Sequence, residues 1–95
     1  MEIIADILRA AGNGSKKTRI MYFANLSYSL LEKYLNMVIK ANMLVCNGGK
    51  YEITEKGKIF LEKFENYSEK VSRINKELKT IKFERQVLEQ MCKLP

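Results

Sequence analysis

MLVCNGGKYEIT, residues 43–54, is the part of the sequence that most narrows the possible folds. Two short runs rich in apolar residues flank Asn47-Gly48-Gly49, and glycine readily takes the positive φ that a tight hairpin turn requires. The pattern predicts a two-stranded antiparallel hairpin. Thr54 ends the segment and is a preferred N-cap residue, so we expect a helix to begin directly after the hairpin.

Two helices are predicted at the start of the chain. Residues 2–11 place apolar side chains on one face at helical spacing, and the run Gly12-Asn13-Gly14 ends this helix. We expect Ser15 to be the N-cap of a short second helix over residues 16–24. Asn25 tolerates the left-handed conformation that commonly ends a helix, so the second helix is expected to stop there.

A third helix is predicted between these two and the hairpin. Apolar residues recur with the helical period from Leu30 to Ile39, and Ser27 is the expected N-cap, with a capping box that starts at Ser29 as the alternative. Asn42 suits the end of this helix. A hairpin directly after a closely joined pair of helices is the order of a winged helix-turn-helix domain. We therefore expect a mainly α fold with a small β wing over residues 1–57.

The C-terminal part of the sequence predicts one long helix. Beyond Gly57 there is no further glycine, and the one proline is Pro95. Apolar residues alternate at spacings of four and three, which is the heptad pattern of a coiled coil. Residues 58–95 are therefore expected to form a dimerisation helix. The predicted dimer-interface residues are Phe60, Phe64, Tyr67, Val71, Ile74, Leu78, Ile81, Arg85 and Leu88, with Arg85 at a seam position that is otherwise apolar.

The length and charge pattern of this helix favour pairing with a second copy. At ~1.5 Å per residue the helix extends roughly 55 Å, which a single small head cannot cover, so a helix folded back on its own domain is the less favoured alternative. An antiparallel pair brings Lys63 to Glu84 of the partner subunit and Lys70 to Glu77 of the partner subunit. A parallel pair gives a mixed set of contacts. We therefore expect a two-stranded antiparallel coiled coil.

The charge balance indicates a polyanionic partner. The chain has 17 Lys and Arg residues against 11 Asp and Glu residues, a net charge of +6. This excess suits double-stranded DNA, and a solvated basic surface without a partner is the alternative. The clearest electrostatic feature is Lys16-Lys17-Thr18-Arg19, where side-chain cations coincide with the N–H groups at the start of the second helix and favour a phosphate.

The outer face of the third helix and the tip of the wing supply the other candidate DNA contacts. Their hydroxyl, amide and ammonium groups suit phosphates, sugars and base edges. Glu32 lies on the same face and would repel the DNA backbone unless it accepts from a cytosine amino group, while Tyr22 is either a core residue or a phosphate ligand. The expected DNA-binding residues are Lys16, Lys17, Arg19, Ser27, Tyr28, Ser29, Lys33, Asn36, Lys40 and Lys50.

Catalysis and metal binding are not expected. The sequence contains no histidine, the commonest general base and metal ligand. Cys46 and Cys92 are far apart with apolar neighbours, which favours small buried side chains over a metal site or a disulfide. We expect no enzyme activity, cofactor, metal or small-molecule substrate. The N-terminus reads directly into an amphipathic helix, which favours a cytoplasmic, nucleoid-associated location without membrane contact.

The run KTRIMYFANLSY, residues 17–28, resembles the ten-kilodalton winged-helix, coiled-coil DNA-binding proteins of Sulfolobus-type archaea. Residues 35–39, the wing around Gly48-Gly49 and the segment ITEKG, residues 53–57, agree with this resemblance. It implies a homodimer that is joined by an antiparallel coiled coil and has a winged head at each end. It also implies abundant, chromatin-associated binding to duplex DNA with little sequence preference.

Three functions are therefore compared below. The first is an architectural protein that bends, bridges or coats duplex DNA. The second is a sequence-specific transcriptional regulator that reads two separated half-sites, and the third is a winged-helix interaction module that binds protein. Salt dependence and sequence discrimination separate them, because phosphate contacts are salt-sensitive and carry no sequence information.

Overall fold

The computed structural model describes residues 1–93, so the last two residues of the predicted dimerisation segment 58–95 lie outside the described residues. The elements in chain order are α1 (Glu2–Ala11), β1 (Ser15–Lys16), α2 (Lys17–Ala24), α3 (Tyr28–Lys40), β2 (Leu44–Asn47), β3 (Lys50–Ile53) and α4 (Glu55–Met91). One compact unit, Met1–Phe64, is called the head below, and the rest of α4 belongs to a second unit. We call residues 65–91 distal α4.

The predicted hairpin is confirmed, and a third strand joins it. β3 lies between β1 and β2, and both neighbours pair with it antiparallel. The prediction that Ser15 caps the second helix is wrong. The Ser15 side chain is buried, and its hydroxyl donates to the carbonyl of Ala10 at 2.8 Å. The N-cap is Lys16, which has an extended backbone, because the pairing of β1 with β3 holds this segment straight before α2 begins.

The core of the head forms where α1, α2, α3 and β2 meet. The apolar stripes that were predicted for α1 and α3 supply most of it, as their helical period requires. Two large apolar residues of these helices are exposed: Phe23 on α2 and Leu30, which belongs to the predicted stripe of α3, have 57% and 43% of their surface accessible. Each sits beyond the edge of the buried face of its helix. The largest fully buried side chains are Ile7, Leu8, Ile20, Leu31, Val38 and Leu44.

The C-terminal end of α2 and both ends of α3 follow the predicted residues. Ser27 is the N-cap of α3, and its hydroxyl accepts from the amide of Leu30 at 3.3 Å, which selects it over the capping box at Ser29. Asn25 and Asn42 both adopt positive φ, at 53° and 62°. Asn25 turns the chain between α2 and α3, and Asn42 turns it from the end of α3 towards β2.

The junction between the wing and α4 is closely packed. The Thr54 hydroxyl accepts from the amide of Gly57 at 3.1 Å and donates to the carbonyl of Asn42 at 2.6 Å. Lys56 donates to the carbonyl of Ala41 at 2.7 Å, at the C-terminal end of α3. Gly57 is buried, because the first turn of α4 lies directly against the backbone before β2.

Both cysteines are exposed in the described chain, so the expectation that they are small buried side chains is wrong. Cys46 lies on β2, which is an edge strand and leaves the core after Leu44. Cys92 follows the last residue of α4. Apolar neighbours in sequence did not predict burial here, because an edge strand and a helix end have too little structure around them to cover both sides.

Candidate nucleic-acid interface

The sheet brings two of the candidate lysines into direct opposition. In the register of β1 with β3, Lys16 is the partner of Lys50, and Lys50 in turn pairs with Asn47 on β2. Residues that face each other across antiparallel strands project from the same side of the sheet. Two like charges in this position repel, and a bound phosphate would relieve that repulsion. The sequence pointed to each lysine separately, and the unpredicted strand β1 is what joins them.

The start of α2 adds backbone donors next to this pair. Lys16 is the N-cap of α2, its side chain makes no capping hydrogen bond, and the first turn contains no acidic residue. The positive end of a helix dipole favours an anion at such a position. Arg19 lies in the same turn region and is exposed. Lys16, Arg19 and Lys50 thus contribute cationic side chains beside the helix terminus.

Lys17 behaves differently from its neighbours, because its ammonium group forms an ion pair with the Glu32 carboxylate. The Nζ atom also lies 5.5 Å from the centre of the Tyr28 ring, within cation–π range. The hydrogen bond with Glu32 is the main cause that raises the pKa of Lys17, and the same bond lowers the pKa of Glu32. Glu32 is therefore a paired carboxylate on α3 and not an isolated negative charge.

Tyr51 lies near Lys17 and Glu32, and the sequence did not predict this. It pairs with Ser15 and with Cys46 across the sheet. Burial raises the pKa of its phenol, and the charge of Lys17 works against that rise. Its hydroxyl consequently stays neutral beside Lys17. In the sequence Tyr51 directly follows Lys50, so the period of a strand places the two side chains on opposite faces of β3.

The outer face of α3 remains open to solvent. Tyr28 is 62% exposed, and Lys33 lies 5.9 Å from the centre of the Tyr34 ring. Lys40 stands in the last turn of α3, where a cation complements the helix dipole. Ser27 differs from these, because its hydroxyl is engaged as the N-cap. The candidate residues of α3 with exposed side chains are Tyr28, Ser29, Lys33, Asn36 and Lys40.

Tyr22 is 76% exposed on α2, so it is not a core residue. Of the two alternatives for Tyr22, a core residue and a phosphate ligand, the first is therefore wrong. The buried residue of α2 is Ile20. An exposed phenol near a cationic surface is a suitable hydrogen-bond donor for a phosphate. We add Tyr22 to the residues whose contact with DNA stays a prediction.

The predicted dimer-interface residues fall into two groups. Phe64 is buried within the single chain, Phe60 packs against the core of the head, and the two rings stack with centroids 6.1 Å apart. The Arg85 guanidinium donates to Glu89 at 3.0 Å along the same helix. The apolar seam residues on distal α4 are between 40% and 63% exposed, and they are Tyr67, Val71, Ile74, Leu78, Ile81 and Leu88.

Residues 1–93 contain neither a candidate metal-binding cluster nor a candidate membrane-spanning helix. Across this part of the chain, histidine, cysteine and acidic residues do not gather in any group of three that could hold a metal ion. No helix in the same range is both long enough and apolar enough to cross a membrane.

The ion pair between Lys17 and Glu32 predicts a shallow pH dependence of stability. The folded pKa of Glu32 lies below its ordinary 4.5, so its contribution is complete above that pH and is lost as the pH falls through the folded pKa. The folded pKa of Lys17 lies above its ordinary 10.5. The contribution of Lys17 to stability is therefore complete below pH 10.5 and is lost as the pH rises through the folded pKa. Thermal unfolding of the Glu32→Gln variant and of the original protein should converge in acid. A gap that stays constant as the pH falls far below 4.5 would contradict this assignment.

Two uncharacterised proteins of Methanocaldococcus jannaschii, MJ0290 and MJ0287, are 39% and 41% identical to this chain over 64 and 58 residues. The alignments cover 66% and 60% of this chain, and 30% and 60% of those proteins. The chain therefore spans less than two thirds of the length of these relatives.

The crystal structure of Sso10a-2, a DNA-binding protein from Sulfolobus solfataricus, matches over nearly the whole length. It is 28% identical with a TM-score of 0.66, and the match covers 99% of this chain and 96% of Sso10a-2. The resemblance to Sulfolobus-type proteins that residues 17–28 suggested is confirmed. The model of the winged helix-turn-helix family matches residues 1–72, which include the whole head and the first turns of distal α4. The chain belongs to the winged helix-turn-helix family.

Proposed function

We propose that the protein binds double-stranded DNA as a homodimer and acts as an architectural, chromatin-associated protein of low sequence specificity in the cytoplasm. The observation that carries the proposal is the opposition of Lys16 and Lys50 beside the start of α2 in a winged helix-turn-helix head. Sso10a-2, which shares the fold over nearly its full length, is a DNA-binding protein from Sulfolobus solfataricus. No enzymatic step is part of this proposal.

Low specificity follows from where the cations lie. Lys16, Arg19 and Lys50 stand at a strand end, in a helix start and at the wing, where phosphate contacts position a protein without reading bases. The base-reading candidates on the outer face of α3 are few, and they are Ser29, Lys33 and Asn36. Sequence discrimination of the size that a regulator needs, above ~10³ over non-specific DNA, would require more contacts to base edges.

Dimerisation is supported by the exposed seam on distal α4. Side chains such as Ile74 and Ile81 are 56% and 58% exposed in the single chain, and a helix with a heptad stripe of this kind is stable when a second helix covers it. The g positions of the heptads, which flank the apolar seam, carry Lys63 and Lys70 in the first half of the helix and Glu77 and Glu84 in the second. This order favours the antiparallel pair. That pairing puts the two heads at opposite ends and favours bridging of DNA over reading of a compact palindrome.

A salt-titrated binding assay tests the proposal. Binding of the purified protein to random and to selected duplexes is measured between about 50 and 200 mM salt, where phosphate contacts lose affinity steeply. A steep slope with little discrimination supports the architectural role. A specificity ratio above ~10³ would show a regulator instead. Absence of binding at low salt would refute DNA binding and favour a protein-interaction module.

Removing the opposed lysines should weaken binding to every duplex. In the double variant Lys16→Gln, Lys50→Gln we expect affinity to fall by roughly 10- to 100-fold, because two phosphate contacts are lost. The slope of log affinity against log salt should become shallower by about 1.8, at about 0.9 per contact. The double variant Lys76→Gln, Lys79→Gln makes the same change of charge on distal α4 and is the control. Equal losses in the two variants would show that net charge alone matters.

A further inference from the structure

One ion pair of the head joins α2 to α3 next to Lys16. Lys17 and Glu32 join the first turn of α2 to the first half of α3, and their side chains are 34% and 38% exposed. The pair therefore lies at the surface, on the helix that begins directly after Lys16. Lys17 can contact a phosphate together with Lys16, Arg19 and Lys50 only while its ammonium group is available.

The geometry keeps that ammonium turned towards α3. One of its hydrogen bonds goes to the Glu32 carboxylate, and the Tyr28 ring covers another side at 5.5 Å. A phosphate at the start of α2 would compete with the carboxylate for the same donor. If Lys17 turned to the phosphate, Glu32 would be left as an unpaired negative charge close to the DNA, which costs free energy through repulsion.

We propose that Glu32 is a built-in competitor of the DNA phosphate, which withholds Lys17 and holds the affinity and salt dependence of the head below the level that its cations would otherwise give. This inference rests on the proposed DNA binding. The pair has no net charge, so it neither attracts nor repels the duplex strongly. Changing Glu32 alone should therefore tighten DNA binding, and changing Lys17 alone should weaken it. A purely structural tie between α2 and α3 does not predict these opposite effects.

Two single variants and the double variant of the full chain test this, with a short random-sequence duplex as the probe. In Glu32→Gln we expect binding to tighten by about 3- to 10-fold and the salt slope to steepen by about 0.9, since one further phosphate contact forms. In Lys17→Met we expect a loss of similar size, because the carboxylate is uncompensated. The variant with both changes should return to within about twofold of the original affinity. Thermal unfolding of each variant shows that the head is folded.

The control is Glu2→Gln, which removes one negative charge from the first turn of α1. The proposal is overturned if Glu2→Gln tightens binding as much as Glu32→Gln, because net charge then explains the effect. It is overturned if the Glu32→Gln protein is folded and binds with an unchanged slope, which leaves a structural tie. Weaker binding by Glu32→Gln would show that Glu32 contacts a base amino group. If the original protein binds no duplex, the proposed function itself fails.

Discussion

Replacing Gly57 by alanine is expected to destabilise the head by about 3 kcal/mol, the upper end of what forced overpacking costs. A Cβ atom at this position would lie 2.3 Å from the carbonyl oxygen of Met43 and 2.7 Å from Cγ1 of Ile53. The first obstacle is backbone, so it cannot move aside as a flexible side chain does. In an open helix the same change stabilises by roughly 0.5–1 kcal/mol. The sign of the effect therefore reports the close approach of α4 to the wing.

Chemical denaturation at fixed protein concentration measures this effect, because the stability of the proposed dimer would depend on concentration. Gly48→Ala is the matched control. Gly48 has a φ of 57° and nothing within 4 Å of an added Cβ, so the cost there is conformational strain of roughly 1–2 kcal/mol without a clash. Equal or greater stability of Gly57→Ala than of the original protein would mean that α4 does not pack on the wing as described.

The second large effect is expected at the seam of distal α4. Changing Ile74 to glutamate should weaken the proposed dimer by at least about 100-fold, since an unpaired charge costs several kcal/mol in a position that pairing would bury. In the antiparallel register Ile74 faces Val71 of the partner subunit, close to the two-fold axis. The two introduced carboxylates would therefore also repel each other. The molar mass in solution, followed over a range of concentrations, measures the change.

Ser72→Glu adds the same charge at a position on the opposite face of the heptad and should leave the dimer intact. Ile74 is 56% exposed in the single chain, so a monomeric Ile74→Glu variant should keep a folded head. A dimer that persists unchanged in Ile74→Glu would contradict the seam assignment. A monomeric original protein would contradict dimerisation itself, whereas binding of DNA by the head is tested separately.

Much of the local structure could be predicted from residue types. Asn25 and Asn42 adopt the left-handed conformation, Ser27 and Thr54 cap the following helices, and Gly48 has positive φ at the tip of the wing. Each of these features depends on a few neighbouring residues, whose preferences act within one turn of the chain. The heptad spacing of the C-terminal helix likewise indicates one long helix without knowledge of what surrounds it.

The errors arose where distant segments meet. Ser15 has the side chain of a good N-cap, but its pairing with Tyr51 and its hydrogen bond to Ala10 make it part of a strand. A strand of two residues is too short to show alternation, so nothing local distinguished the two outcomes. The exposure of Cys46 has a related cause, because the edge position of β2 depends on the order of the strands.

The candidate site divides in the same way. Residue types alone identified a basic helix start, a wing lysine and an α3 face with polar groups, because charge and helical period are properties of the chain itself. Tertiary structure decided that Lys16 opposes Lys50, that Lys17 is held by Glu32, and that Gly57 has no room for a side chain. The physical reason is that pair energies depend on distances between residues far apart in sequence. Those distances are set by the packing of the whole head, which no single stretch of the chain contains.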